Sequence, residues 1–227
     1  MIRPITGSSI IYLDNHLIAV VKPPGLLTQP DRNTDESLLD QTRQWIKEEY
    51  NKPNNIFLGL IHRLDRNVSG VVLFARTSKA ASRLSKQFRE GTIKKFYRVI
   101  ALGKLEERHT TLVHYLRKEK SLKATVFPRA TPAAKRSELS YEIIYSLEKN
   151  SLLEVSLRTG RFHQIRAQMA FIGHPIMGDI KYGAPERLPN QEIALYACKL
   201  VFNHPISNEK ISLTAPEPKT WKQFKLY

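Results

Sequence analysis

Residues 59–76 hold a charged centre between two apolar runs, and this stretch constrains the fold more than any other part of the chain. The titratable side chains of the centre belong to His62, Arg63, Asp65 and Arg66. We expect a turn at Ser69-Gly70, because serine and glycine favour turns. The apolar run from Val71 to Ala75 that follows is then typical of a buried strand.

An extended backbone through the charged centre would point Arg63 and Asp65 to the same side, because strand side chains alternate. Leu64 would then face a core. A carboxylate beside an arginine and between apolar strands stays ionised but is poorly solvated, which suits a nucleophile or a base. The same spacing also suits a structural ion pair at the end of a strand, and the spacing alone leaves both interpretations open.

The charge of the chain is strongly positive and unevenly distributed. The formal net charge is +15, and residues 76–136 hold 17 Lys and Arg against four Glu and no Asp. Such a field attracts polyanions, among them RNA, DNA and anionic lipid. A solvated basic surface is the simpler interpretation, but the concentration of charge in one region favours nucleic-acid binding.

Other features of the sequence indicate a cytoplasmic protein that does not use a membrane. No apolar run approaches the roughly 18 residues of a membrane span, and the first residues lack the apolar core of a signal peptide. The single cysteine, Cys198, excludes an internal disulfide framework, and we expect it to be a small core residue.

Periodicity and turn residues predict many short strands and three helices, an α+β chain with a mainly antiparallel sheet. Residues 103–137 are basic and irregular, so we expect mostly hairpins and loops there, with a strand near 122–127. The other predicted strands are 10–14, 17–22, 93–102, 138–147, 152–158 and two within 193–215. The predicted helices are 37–50, capped by Asp35 or Ser37, 78–91, capped by Ser78 and ended by Gly91, and 161–171.

Five stretches in order resemble the signature motifs of the RluA-type pseudouridine synthases, and together they cover nearly the whole chain. They are Lys22-Pro23-Pro24-Gly25, His62-Arg63-Leu64-Asp65-Arg66-Asn67-Val68-Ser69-Gly70, Lys95-Phe96-Tyr97, Thr159-Gly160-Arg161-Phe162-His163-Gln164-Ile165-Arg166, and Gly173-His174-Pro175-Ile176-Met177-Gly178-Asp179. Val68 and Phe162 stand where the family has threonine.

The resemblance implies the pseudouridine synthase fold, a bent mixed sheet in two halves with flanking helices and a central active-site cleft. Family members often carry an N-terminal RNA-binding domain of the S4 type. Because the first predicted hairpin begins near Ile10, we expect residues 1–227 to be a single catalytic domain without it. Such a domain would bind RNA largely by itself, and we expect it to be a monomer.

The activity implied is the isomerisation of specific uridines to pseudouridine in transfer RNA or large-subunit ribosomal RNA. The family places its catalytic aspartate at the position of Asp65. The target nucleotide must be flipped out of its helix to be reached, and the carboxylate can then add to the sugar or base, or remove a ribose proton. The alternative is a non-catalytic RNA-binding or RNA-folding protein on the same scaffold, which intact Asp65, Tyr97 and Arg161 disfavour.

The resemblance assigns roles to further residues. Arg161 would pair with the aspartate, Tyr97 would stack on the flipped base and transfer a proton at C5, and Arg63 would fill the gap left by that base. Other candidate RNA-contacting residues within the motifs are His62, His163, Gln164 and Arg166. For His62, His163 and His174 we favour structural hydrogen bonds. No Cys or carboxylate lies near them at ligand spacing, so we expect neither a metal nor another cofactor.

A basic stripe is predicted along one face of the helix over 78–91. Lys79, Arg83 and Lys86 fall at positions i, i+4 and i+7. We expect these side chains to contact RNA phosphates.

Overall fold

The computed structural model describes residues 5–31, 36–51, 53 and 55–224. The chain forms two compact units. Unit 1 comprises Met1–Ile93 and Ala197–Pro216, and unit 2 comprises Lys94–Tyr196 and Glu217–Tyr227.

The described residues form eleven strands and three α-helices. In chain order they are β1 (Ile10–Leu13), β2 (Leu17–Lys22), α1 (Leu38–Glu49), β3 (Gly59–Leu60), β4 (Ser69–Ala75), α2 (Ser78–Glu90), β5 (Lys94–Leu102), β6 (His109–Lys118), β7 (Ala124–Phe127), β8 (Lys135–Ser146), β9 (Asn150–Leu157), α3 (Gln164–Phe171), β10 (Leu195–Asn203) and β11 (Lys210–Thr214). The predicted α+β class is confirmed. None of the described helices is long and apolar enough to cross a membrane.

Unit 1 is built on strands β1, β2, β4 and β10, which neighbour one another in that order. β2 and β4 pair antiparallel from Leu17 opposite Ala75 to Lys22 opposite Gly70. Both strands are buried along nearly their whole length, which explains their continuous apolar sequence. One face packs on α2, where Ala80 and Leu84 join the core. The register brings the end of β2 beside the beginning of β4, next to the charged centre.

The turn predicted at Ser69-Gly70 is wrong. These two residues begin β4, and the turn lies at Arg66-Asn67. Gly70 adopts a left-handed φ of +116°, and a Cβ at this position would clash with the backbone of Ala197. Glycine is therefore required by the close approach of β4 and β10, not by a reversal of the chain.

The helices of unit 1 begin close to their predicted positions. Ser37 caps α1 by accepting a hydrogen bond from the backbone N of Asp40, whereas Asp35, the other predicted cap, lies outside the described residues. Thr77 caps α2 in place of the predicted Ser78, and Gly91 ends the helix in the left-handed conformation as predicted.

Unit 2 contains an antiparallel sheet with the strand order β5-β9-β8-β6-β7. Within residues 103–137, the predicted hairpin is confirmed by the antiparallel pairing of β6 with β7, and the predicted strand near 122–127 is confirmed by β7. The sequence did not predict the ten-residue length of β6 or the beginning of β8 within this range. Only Leu112 and Leu116 of β6 are buried. Two apolar positions four residues apart give too weak an alternation to reveal a strand.

α3 also differs from its prediction, since it begins at Gln164 rather than at residue 161. His163 adopts a left-handed φ of 53°, so residues 161–163 form a turn before the helix. Within the helix Ile165 and Met169 are buried as predicted, while Phe162 is half-buried before it.

Candidate active site

Asp65 lies in unit 1, in a loop that is anchored through the residue before it. The backbone N of Leu64 donates to Thr28 Oγ1 (3.1 Å), and the Thr28 hydroxyl donates to the Leu64 carbonyl (2.9 Å). The Leu64 side chain is buried, as predicted, and Arg63 is exposed. The loop then turns sharply, because the backbone N of Val68 donates to the Asp65 carbonyl (3.1 Å).

The residue after Asp65 is held by the segment that follows β2. Lys22 is fully buried, and its ammonium donates to the carbonyl oxygens of Pro23 (2.9 Å), Leu26 (2.7 Å) and Arg66 (2.9 Å). Arg66 exchanges two further hydrogen bonds with the backbone of Gly25. Burial lowers the pKa of Lys22 to about 7, although the negative charge of Asp65 acts in the opposite direction.

His62 has a structural environment within unit 1. Its Nε2 accepts a hydrogen bond from the backbone N of Leu73 (3.0 Å) in β4. Its ring stacks on Phe88 of α2, with the ring centroids 5.2 Å apart. These contacts fix the strand that leads into the Asp65 loop against the helix.

The basic stripe on α2 is exposed, but two of its three members have protein partners. Arg83 Nη1 donates to the carbonyl of Pro205 (2.7 Å). Lys86 lies 3.7 Å from Glu90, and both side chains are exposed. Lys79 is exposed at the first turn of the helix.

Tyr97 and Arg161, the other two predicted catalytic residues, lie in unit 2. Tyr97 is buried in β5 opposite Val155 of β9. Lys95, two residues earlier, points to the same side of the strand and lies opposite Leu157, the last residue of β9. Burial lowers the pKa of Lys95.

Gln164 shapes the turn that presents Arg161. Its side-chain oxygen accepts from the Thr159 hydroxyl (2.7 Å) and from the backbone N of Arg161 (2.9 Å), and its amide nitrogen donates to the Glu138 carbonyl (3.0 Å). Arg161 is exposed, and its Nε donates to the Arg136 carbonyl (3.1 Å). Buried Gln164 therefore positions Arg161 through hydrogen bonds within the turn.

Arg166 and Asp179 form a buried ion pair that joins two of the motifs. Arg166 Nε and Nη2 lie 2.7 and 2.8 Å from the two carboxylate oxygens of Asp179, a bidentate geometry. The guanidinium also lies over the ring of Tyr182, 5.1 Å from its centroid. This pair fixes α3 against the segment that contains residues 173–179.

His163 belongs to the same cluster. Its Nδ1 lies 2.9 Å from the Tyr182 hydroxyl, and its ring stacks on Phe162. Burial, together with the positive charges of Arg166 and Lys181, lowers the pKa of His163 to about 3. The imidazole is therefore neutral at physiological pH and has no proton to donate as an imidazolium.

The sequence predicted candidate site residues in both units. It did not predict which other residues anchor the segments that carry them. Lys22, Thr28 and Asp179 anchor the Asp65 loop and α3. Two of them, Lys22 and Asp179, lie within the recognised motifs, and that was the available signal. Among the described residues, no group of three or more His, Cys, Asp or Glu could hold a metal ion.

Comparison with known proteins places the chain in a family. A family model for RNA pseudouridylate synthase matches residues 16–171. The ribosomal large subunit pseudouridine synthase C of Vibrio parahaemolyticus is 32% identical over 91% of this chain and 65% of its own length. The tRNA pseudouridine synthase C of Yersinia pestis is 33% identical over 94% of this chain and 88% of its own length.

The fold is also similar to that of a solved structure. The solved structure of human RNA pseudouridylate synthase domain containing 4 covers 95% of this chain, which in turn covers 90% of that structure, with a TM-score of 0.79 at 21% sequence identity. The expected pseudouridine synthase fold is therefore confirmed. The chain belongs to the RNA pseudouridylate synthase family, whose members are isomerases.

Proposed function

We propose that the protein isomerises specific uridines to pseudouridine in transfer RNA or large-subunit ribosomal RNA. The observation that carries the proposal is the anchoring of Asp65. The residues on either side of it are tied to the 22–28 segment, Leu64 by Thr28 and Arg66 by Lys22 and Gly25. A carboxylate held in a preorganised loop is what a catalyst of this kind requires. The names of the two relatives support both classes of RNA.

The chemistry assigned to Asp65 begins with a uridine flipped out of its helix. The C1′–N1 bond breaks, the uracil rotates, and a C1′–C5 bond forms. C5 then loses its proton, and N1 gains one. A carboxylate serves this sequence either by adding covalently to the sugar or base, or by removing a ribose proton. Because the reaction has no net redox change and transfers no group to a second molecule, we expect no cofactor.

The remaining roles follow from the residue types. Arg161, exposed on its turn, would pair with Asp65, since a guanidinium binds a carboxylate through two hydrogen bonds. The ring of Tyr97 would stack on the flipped base, and its phenol would transfer the proton at C5. Exposed Arg63 would occupy the space that the flipped base leaves. We expect the enzyme to act in the cytoplasm as a monomer.

The test is incubation of the purified protein with unmodified transfer and ribosomal RNA in excess chelator, followed by nucleoside analysis. We expect pseudouridine to form without any added cofactor. RNA binding with no pseudouridine in any cellular RNA would contradict the proposal and favour a non-catalytic RNA-binding protein. Maps of pseudouridine in cellular RNA, with and without the protein, would then identify the modified position.

A further inference from the structure

Lys95 in β5 is a half-buried cation, and its ammonium has no hydrogen-bond or ion-pair partner among the residues described in the structure. This differs from Lys22, whose ammonium has three carbonyl acceptors. Removing an ammonium from water without supplying acceptors costs free energy. Burial accordingly lowers the pKa of Lys95 with no opposing attraction. Lys95 Nζ is not among the fully buried polar atoms that lack a partner, so the ammonium is poorly solvated but can still be reached from outside the protein.

The surroundings of Lys95 relate it to the proposed active site. Its side chain points to the same side of β5 as Tyr97. Its ammonium lies against Gly160, the residue before Arg161, because a Cβ built on Gly160 would be 3.3 Å from Nζ. β9 ends at Leu157 opposite Lys95, and Gly160 follows three residues later. The absence of a side chain at Gly160 leaves room for the ammonium.

We propose that Lys95 is a substrate-binding residue whose ammonium binds an RNA phosphate next to the target uridine. The proposal rests on the proposed function, because Tyr97 and Arg161 define the site beside which Lys95 lies. A phosphate supplies the anionic oxygens that the ammonium lacks, and a poorly solvated cation attracts such an anion more strongly than a solvated one. The strongly positive net charge of the chain indicates a polyanionic partner.

The simpler interpretation is that Lys95 contributes only packing through its aliphatic stem. The two interpretations differ in what they predict for Lys95→Met, which keeps a long apolar side chain and removes the charge. A packing role predicts unchanged RNA binding. A phosphate-binding role predicts weaker RNA binding and a melting temperature close to that of the parent, because methionine keeps the packing of the aliphatic stem.

Lys94 provides a matched control, since it is the preceding residue in the same strand, is exposed, and points to the opposite side. We would measure the affinity of parent, Lys95→Met, Lys95→Arg and Lys94→Met for unmodified transfer RNA at several salt concentrations. Melting temperatures and the steady-state kcat and KM would be measured on the same proteins.

We expect Lys95→Met to bind RNA about tenfold more weakly. The magnitude of its slope of log affinity against log salt should decrease by about 0.7–0.9, the value for one phosphate that is no longer neutralised. KM should rise more than kcat falls, because the interaction is present in both the bound and the transition state. Lys95→Arg should retain most of the parent's slope. Lys94→Met should change the affinity less than Lys95→Met does.

A slope and KM equal to the parent's in Lys95→Met would overturn the proposal, and so would a melting temperature well below the parent's, which would indicate a role in the fold. Equal effects of Lys94→Met and Lys95→Met would overturn it too, since they would indicate only general charge. A parent protein without isomerase activity would contradict the proposed function. A reduced salt slope in Lys95→Met would still identify Lys95 as an RNA-binding residue in that case.

Discussion

The Nζ atom of Lys22 donates a hydrogen bond of 2.9 Å to the carbonyl oxygen of Arg66, the residue that follows Asp65. A fully buried lysine thus joins the end of β2 to the loop that carries the proposed catalytic carboxylate. Three carbonyl oxygens offset only part of the ammonium's loss of water, since burial still lowers the pKa of Lys22 to about 7. The position of Asp65 therefore depends on a residue far earlier in the chain.

We predict that Lys22→Met destabilises the protein by roughly 1–3 kcal/mol near neutral pH, because buried carbonyl oxygens lose their donor. The loss should depend on pH. With the folded-state pKa near 7 and the ordinary value at 10.5, the folded protein releases a proton in this interval that the unfolded chain still binds. The free energy of unfolding of the parent should therefore rise with pH relative to that of the variant.

Chemical denaturation of both proteins at three pH values between about 6 and 10 measures this difference. Other titrating groups are common to the two proteins and cancel. A stability difference that stays constant over the whole interval would contradict the lowered pKa of Lys22.

The fold of unit 1 could be predicted well because its strands and helices have strong local signals. β2 and β4 are continuous apolar runs, and α2 ends at a glycine. The charged centre contains Asp65, whose catalytic role stays a prediction. Burial of Leu64 followed from simple alternation.

What sequence reasoning missed depends on tertiary contacts. β6 has two buried residues among ten, so its pattern is that of an exposed basic segment. The left-handed φ of His163, which delays the start of α3, has no local signal, because glycine and asparagine are the usual residues there. The burial of Lys22 and Lys95 opposes the general tendency of lysine to be exposed.

We predict that Asp65→Asn abolishes turnover and leaves RNA affinity within a few-fold of the parent's. Asparagine keeps the shape of aspartate but can neither add to the substrate nor accept a proton as a carboxylate does. Single-turnover assays and binding measurements on the same RNA test both parts. Asp31→Asn, at an exposed aspartate of unit 1, is the control and should keep full activity. Full activity of Asp65→Asn would refute the assignment.

Arg161→Ala should be severely impaired in turnover, because Asp65 would lose its proposed ionic partner. The substitution removes one hydrogen bond to the Arg136 carbonyl from an exposed side chain, so stability should change by about 1 kcal/mol or less. Arg158→Ala, at another exposed arginine close to the same turn, is the matched control. Similar rates for the two variants would contradict the proposed pairing.

Asp179→Asn should destabilise the protein by about 3–5 kcal/mol, because it leaves the buried guanidinium of Arg166 without its carboxylate. Thermal unfolding measures the effect. The control is Glu142→Gln, which breaks an exposed ion pair with Arg108 and a contact with His109 and should cost less than about 1 kcal/mol. A loss for Asp179→Asn as small as that of the control would show that the Arg166–Asp179 pair does not hold α3.

The last prediction concerns the basic stripe of α2. Replacing Lys79, Arg83 and Lys86 together by Gln should weaken RNA binding and flatten its dependence on salt, because each neutralised phosphate releases bound counterions. The slope should fall by about 0.7–0.9 for each phosphate that the variant no longer neutralises. Arg83 contacts the Pro205 carbonyl and Lys86 lies near Glu90, so we expect less than the full effect of three phosphates.

The rate of a single turnover at saturating RNA should change much less than the affinity, because these side chains would position the RNA without reacting with it. The control replaces three exposed lysines of unit 1 that lie outside α2, Lys47, Lys199 and Lys210, and so removes the same charge. If the stripe binds phosphates, replacing it should reduce the slope more than the control replacement does. Equal slopes for the two triple variants would mean that α2 presents only a solvated face, and the RNA would then be held elsewhere, with the basic residues of 103–136 as the first candidates.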